Sequence, residues 1–177
     1  MFQDAPVIGV ASLGDDIFVV GWLRKKIVVY DTKTFTVKRH ITIPVLGPSL
    51  PIHTCMAVCP SNNCVYASDF DRRNVLRVDL SGKELKAMTK WSVKVRPTGL
   101  SVKSVSNLLV VGSSSREAML QIFSRPTLGG LIQKIHLHAD IRKPEYAVQL
   151  PTGNFVVSYD DPLEYGEYHV SGVCNSV

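Results

Sequence analysis

The chain has 177 residues, 45% of them hydrophobic and 20% charged, with a formal net charge of +5. That is enough for one packed domain and too little for two with separate cores, and the modest positive balance permits an acidic partner without requiring one. Twelve Gly and ten Pro exclude a low-complexity or collagen-like chain, and no apolar run approaches the ~20 residues of a membrane-spanning helix.

The elements follow a repeating plan. A polar or Gly residue leads into a short apolar strand, a polar turn follows, and a second apolar strand closes the pair. The first unit predicts strands at Val7–Leu13, Ile17–Trp22, Lys26–Thr32 and Val37–Ile43. The second predicts His53–Cys59, Cys64–Asp69, Asn74–Leu80 and Glu84–Trp91, and the third Thr98–Lys103, Leu108–Ser113, Met119–Ser124 and Leu131–Leu137. The fourth has Tyr146–Leu150, Phe155–Tyr159 and Glu167–Gly172. Ile17, Cys64, Leu108 and Asn154 occupy equivalent places, at spacings of 47, 44 and 46 residues. Four short strands per period of roughly 40–50 residues is the signature of propeller blades. A sandwich or plain barrel would not repeat the whole four-strand unit so regularly.

The four strands of each unit are labelled A to D. The B strands are apolar at consecutive positions, as at Leu108–Val111, which suits a strand buried on both faces. The outer strand Val37–Ile43 is far more polar, as an exposed edge should be. Asp15-Asp16, Ser61-Asn62-Asn63, Ser81-Gly82, Gly129-Gly130 and Thr152-Gly153 supply turn chemistry between strands. The predicted fold is all-β: a propeller of four-stranded antiparallel blades, spanning units 6–44, 52–91, 97–137 and 144–174. The fourth unit lacks a D strand and the N-terminus is too short to lend one, so the expectation is part of a six-bladed ring of about 270 residues. Missing blades or self-association would then close the ring over apolar faces that are costly to leave in water.

The stretch Met56-Ala57-Val58-Cys59-Pro60-Ser61-Asn62-Asn63-Cys64-Val65-Tyr66-Ala67-Ser68-Asp69, continuing Arg72-Arg73-Asn74-Val75-Leu76-Arg77-Val78-Asp79, resembles an NHL repeat. Pro97–Val102 and Leu150–Ser158 are looser copies, and the first unit departs most, with Trp22 where the second has Asp69. The resemblance implies a module of the kind found at the end of tripartite-motif ubiquitin ligases, recruiting protein or RNA. No RING-like Cys and His spacing is present, so ligase activity would lie outside this chain.

A propeller's loops divide between two faces, with B-to-C turns and D-to-A connections sharing one of them. On that face the sequence collects Arg24, Lys25, Lys26, Arg72, Arg73 and Arg116 from turns, and Lys90, Lys94, Arg96, Arg142 and Lys143 from connections. The opposite face mixes signs: Asp15, Asp16, Asp31, Lys33, Lys83, Glu84, Lys103 and Arg125. An accumulation of cations is the footprint of a phosphate backbone or an acidic protein surface. Asp69, Asp71, Glu117 and Asp140 in the same loops oppose it, as do Asp160, Asp161, Glu164 and Glu167 in the fourth unit. The expected binding set is Arg24, Lys25, Lys26, Arg72, Arg73, Lys94 and Arg96, with Trp91 as packing residue or as partner anchor. A protein partner is the leading expectation and RNA through the same face the second, since no aromatic-rich stacking surface accompanies the cations.

No catalytic group, metal or cofactor is expected. Cys55 and Cys59 lie ~13 Å apart on one strand at ~3.3 Å per residue, too far to share a zinc ion, and read as buried thiols. His136 and His138 read as exposed polar positions, His53 has no nucleophile partner, and Asp69 is expected to accept turn N–H groups. A calcium-dependent lactonase or esterase is a distant alternative, because only Glu145 among the inner-strand starts offers a hard anionic oxygen. Sparse cysteines, no Asn-x-Ser/Thr sequon and a start, MFQDAP, without a signal-peptide pattern lead to the expectation of a cytoplasmic setting.

Overall fold

The computed structural model describes residues 7–21, 26–42, 54–80, 88–103, 107–114, 117–124, 130–141, 143–160 and 168–174. Among these, fifteen strands form four antiparallel sheets, and each sheet is built from consecutive strands. The first blade holds β1 (Val7–Leu13), β2 (Asp16–Gly21), β3 (Lys26–Asp31) and β4 (Val37–Thr42). The second holds β5 (Met56–Cys59), β6 (Cys64–Asp69), β7 (Asn74–Asp79) and β8 (Met88–Ser92). The third holds β9 (Arg96–Val102), β10 (Asn107–Ser113), β11 (Ala118–Ser124) and β12 (Gly130–His136). The fourth has three strands, β13 (Lys143–Gln149), β14 (Phe155–Asp160) and β15 (Tyr168–Cys174).

The sheets stand radially. Each blade's first strand neighbours the first strand of the next, so β1, β5, β9 and β13 line the axis. This is the propeller arrangement that the fourfold repeat predicts, and stacking explains the consecutive apolar residues. Successive side chains of a strand point to opposite faces, and here both faces are covered. Val65 and Ala67 pack toward the first blade with Phe18, Val20 and Leu76, whereas Cys64 and Tyr66 pack toward the third with Leu108 and Val110. Leu109 and Val111, alternating with those two, pack on Phe155 and Val157 of the fourth blade. The outer strands β4 and β12 stay largely exposed.

Polar locks between inner strands add to this apolar burial. The Cys55 thiol donates to the Thr98 carbonyl, and the Thr98 hydroxyl donates to the Pro144 carbonyl at 2.5 Å. Ser101 donates to the Ala147 carbonyl at 2.7 Å. Blades approach closely here. A Cβ on Gly99 would collide with the Glu145 carbonyl and sit 2.9 Å from Tyr146 Cα. At either end of the series the covering stops: Val7 and Val10 on β1 are 51% and 60% exposed, and Tyr146 and Val148 on β13 are 45% and 38% exposed.

Candidate binding face

The B-to-C turn of the second blade is organised by one carboxylate. Asp69, 1% exposed at the end of β6, accepts the Arg72 backbone N–H at 3.0 Å and an Arg72 guanidinium N–H at 3.1 Å. A carboxylate at that place closes the turn and points Arg72 outward. Arg73 follows with φ of 54°, the left-handed conformation that releases the chain into β7. Its carbonyl accepts the Val93 N–H at 2.8 Å, which ties the turn to the connection between β8 and β9. Arg96, at the start of β9, places its guanidinium 5.5 Å from the centre of the Phe70 ring. Arg72, Arg73, Lys94 and Arg96 are thus exposed on two joined loops.

These loops border the mouth of the central channel. A cavity of about 620 Å³ opens there, touching all four blades through Ile8, Cys55, Phe70, Thr98, Tyr146 and Asp160. Lys143 pairs with Asp160 across β13 and β14 at 3.3 Å, and Glu145 lines the same cavity. Burial, with a smaller contribution from Glu145, raises the Cys55 thiol to about 11, so it stands protonated at the cavity wall.

Ion pairs on the face opposite the channel mouth gather in the first blade. On the A-to-B and C-to-D face, Lys38 meets Asp16 at 2.6 Å and Asp31 at 3.4 Å, Arg39 meets Asp16 at 3.4 Å, and Lys33 meets Asp15 at 3.6 Å. Those charges neutralise one another. On the channel-mouth face Arg72 and Lys143 have carboxylate partners, while Arg73 and Lys94 make no ion pair with any described residue. His136 faces Glu117 at 3.5 Å and His138 faces Asp140 at 3.0 Å, all four exposed.

The remaining residues of the expected set divide as follows. Arg24 and Lys25 lie outside the described residues, as do Trp22, His53, Arg116 and Arg142. Lys26, half-buried at the start of β3, belongs to the first blade. Trp91 points into the seam between the second and third blades, half-buried, with its ring 6.1 Å from Tyr66 and 6.2 Å from Phe123. Phe70 and Tyr146 escaped the sequence reading. The signal for Phe70 is a large apolar residue inside a polar turn, between Asp69 and Asp71. Among the described residues no three His, Cys, Asp or Glu side chains converge to hold a metal ion, and no helix is long and apolar enough to cross a membrane.

Four-blade packing of this kind is a β-propeller, and solved structures superpose on it. One is the Kuenenia stuttgartiensis hydrazine synthase, with TM-score 0.71, 16% identity, and 92% of this chain covered against 44% of that one. The RRP9 WD40 repeats match with TM-score 0.68 and 12% identity over 90% of this chain and 46% of the other. The nidogen/laminin complex matches with TM-score 0.66 and 12% identity over 96% and 66%. The chain spans about half the length of the first two. No protein-family model matches the chain, and no curated protein matches it in sequence. Likeness at 12–16% identity shows the fold alone, so the site has to carry the function.

Proposed function

We propose that the chain is a non-catalytic recognition module, an NHL-like propeller that docks an acidic protein partner on its channel-mouth face. The carrying observation is the asymmetry of charge pairing. Lys33, Lys38 and Arg39 on the opposite face meet carboxylates, whereas Arg73 and Lys94 make no ion pair with any described residue and sit on loops that reach the 620 Å³ cavity through Phe70. Arg72 and Arg96 are held in place by Asp69 and Phe70, which reduces the entropy lost when a partner engages them. The substrate-recruiting end of a ubiquitin ligase is the setting that the NHL-like motif suggests. Ring closure by further blades or by a second copy would cover Val10 and Val148, leaving this face open.

The test compares two charge-reversed pairs by quantitative cross-linking mass spectrometry in cells: Arg73→Glu with Arg96→Glu, and Lys33→Glu with Lys38→Glu. Loss of protein cross-links from the first pair alone is the expected result. Equal loss from both would refute the face. Single-stranded RNA bound tightly at low salt, with a steep salt slope abolished by Arg73→Glu, would replace the protein reading with an RNA one.

A further inference from the structure

The seam between the second and third blades holds a group of donors and cations that the folded chain does not use. Gln121 on β11 is 1% exposed. Its side-chain oxygen accepts the Lys94 backbone N–H at 3.3 Å, and its side-chain nitrogen is buried with no acceptor among the described residues. Lys134 on β12 is the register partner of Gln121. One buried glutamine is therefore flanked by Lys94 through a hydrogen bond and by Lys134 through strand pairing. Trp91 lies in the same seam, on Phe123, and Phe123 sits two residues along β11 from Gln121 on the same face. The Trp91 indole N–H is likewise buried without an acceptor among the described residues. Buried donors of this kind are rare in native proteins, because each forfeits its hydrogen bonds to water.

We propose that this seam is a carboxylate clamp, in which Lys94 and Lys134 grip an acidic side chain of the protein partner over Gln121. The assignment rests on the reading of the channel-mouth face as a docking surface and fixes one of its contacts. The two ammonium groups repel: Lys94 holds Lys134 below the ordinary lysine value, with some further lowering from burial. A carboxylate between them removes that repulsion at the rim of a seam whose buried Gln121 and Trp91 donors have no acceptor among the described residues. Of the other charged groups there, Glu117 acts on Lys134 in the opposite sense and is turned to His136 at 3.5 Å. The seam is bounded by whole sheets on both sides, and over Gln121 it presents Lys94 and Lys134. It matches a single acidic side chain better than a polyanion, which needs a continuous cationic track.

The probe is a blocked pentaglutamate peptide, titrated into the ¹⁵N-labelled chain and followed by the Trp91 indole and Gln121 side-chain amide signals. With two tryptophans in the sequence, Trp22→Phe assigns the indole. Saturable shifts of both signals are expected, weakened about two- to fivefold by Lys134→Ala, as for an exposed ion pair. Lys134 is exposed, so the variant should keep the native amide spectrum, which the same measurement checks. If the peptide shifts signals around Arg73 and Arg96 but leaves Gln121 and Trp91 unmoved, the clamp is overturned and the docking face stands. If nothing shifts, both are overturned. Tighter occupancy of the seam by oligouridylate than by the peptide would overturn the carboxylate assignment.

Discussion

Asp69→Ala should destabilise the protein and disarrange the candidate face together, because one carboxylate serves both. Asp69 is buried at the end of β6 and holds the backbone N–H and the guanidinium of Arg72. A hydrogen bond from an N–H to a charged acceptor contributes about 1.5–3 kcal/mol. The guanidinium contact is worth less: Arg72 is 45% exposed, and solvent screening limits such a pair to about 0.2–1 kcal/mol. Asp69→Ala removes both and should lower unfolding free energy by about 2–4 kcal/mol, adding the two ranges. Asp69→Asn keeps an acceptor for the Arg72 N–H and gives up the charge, so it should cost clearly less than the alanine variant. Urea unfolding followed by tryptophan fluorescence measures both, since Trp91 packs on Tyr66 in the same blade. Equal costs for the two variants would refute this account, because the backbone bond would then contribute nothing separable from the charge.

Leu109→Ala opens a cavity between the third and fourth blades, where Leu109 is 1% exposed, and should cost about 2–5 kcal/mol in the same denaturation assay. Gly99→Ala drives a methyl into the Glu145 carbonyl and should separate those two blades, read as faster hydrogen exchange of the β13 amides than of the β2 amides. Asp31 accepts the backbone N–H groups of Thr34 and Lys33, which lower its carboxyl to about 2. A depressed folded value means that the turn's support is complete above the ordinary aspartate range near 3.9 and fades as pH falls through about 2. The Lys33 and Thr34 amide shifts should accordingly titrate near pH 2 in the folded protein, and a midpoint near 4 would contradict the capping role.

Blade architecture was legible in the sequence because it repeats a local signal. Strand, turn and strand recur at nearly constant spacing, and stacking leaves its mark as consecutive apolar positions such as Leu108–Val111. Asp69 was legible for the same reason, since a carboxylate at a strand end acts on its own turn. The seam was not. Sorting charges by loop finds Arg73 and Lys94 but passes over Lys134, which sits within an outer strand. Gln121 looks like an ordinary polar strand residue until register sets it beside Lys134 and blade packing sets it beside Lys94. Trp91 could be read as rim or core until its neighbours, Tyr66 and Phe123, were known to come from two blades. Hydrogen bonds between blades join residues 27 to 46 positions apart, and nothing in either local segment encodes the other. In a propeller the repeat therefore discloses the scaffold, while specificity is assembled at seams where the repeats differ. Under the docking proposed above, the contacts to test are at Lys94, Gln121 and Lys134 as much as at the arginines of the rim.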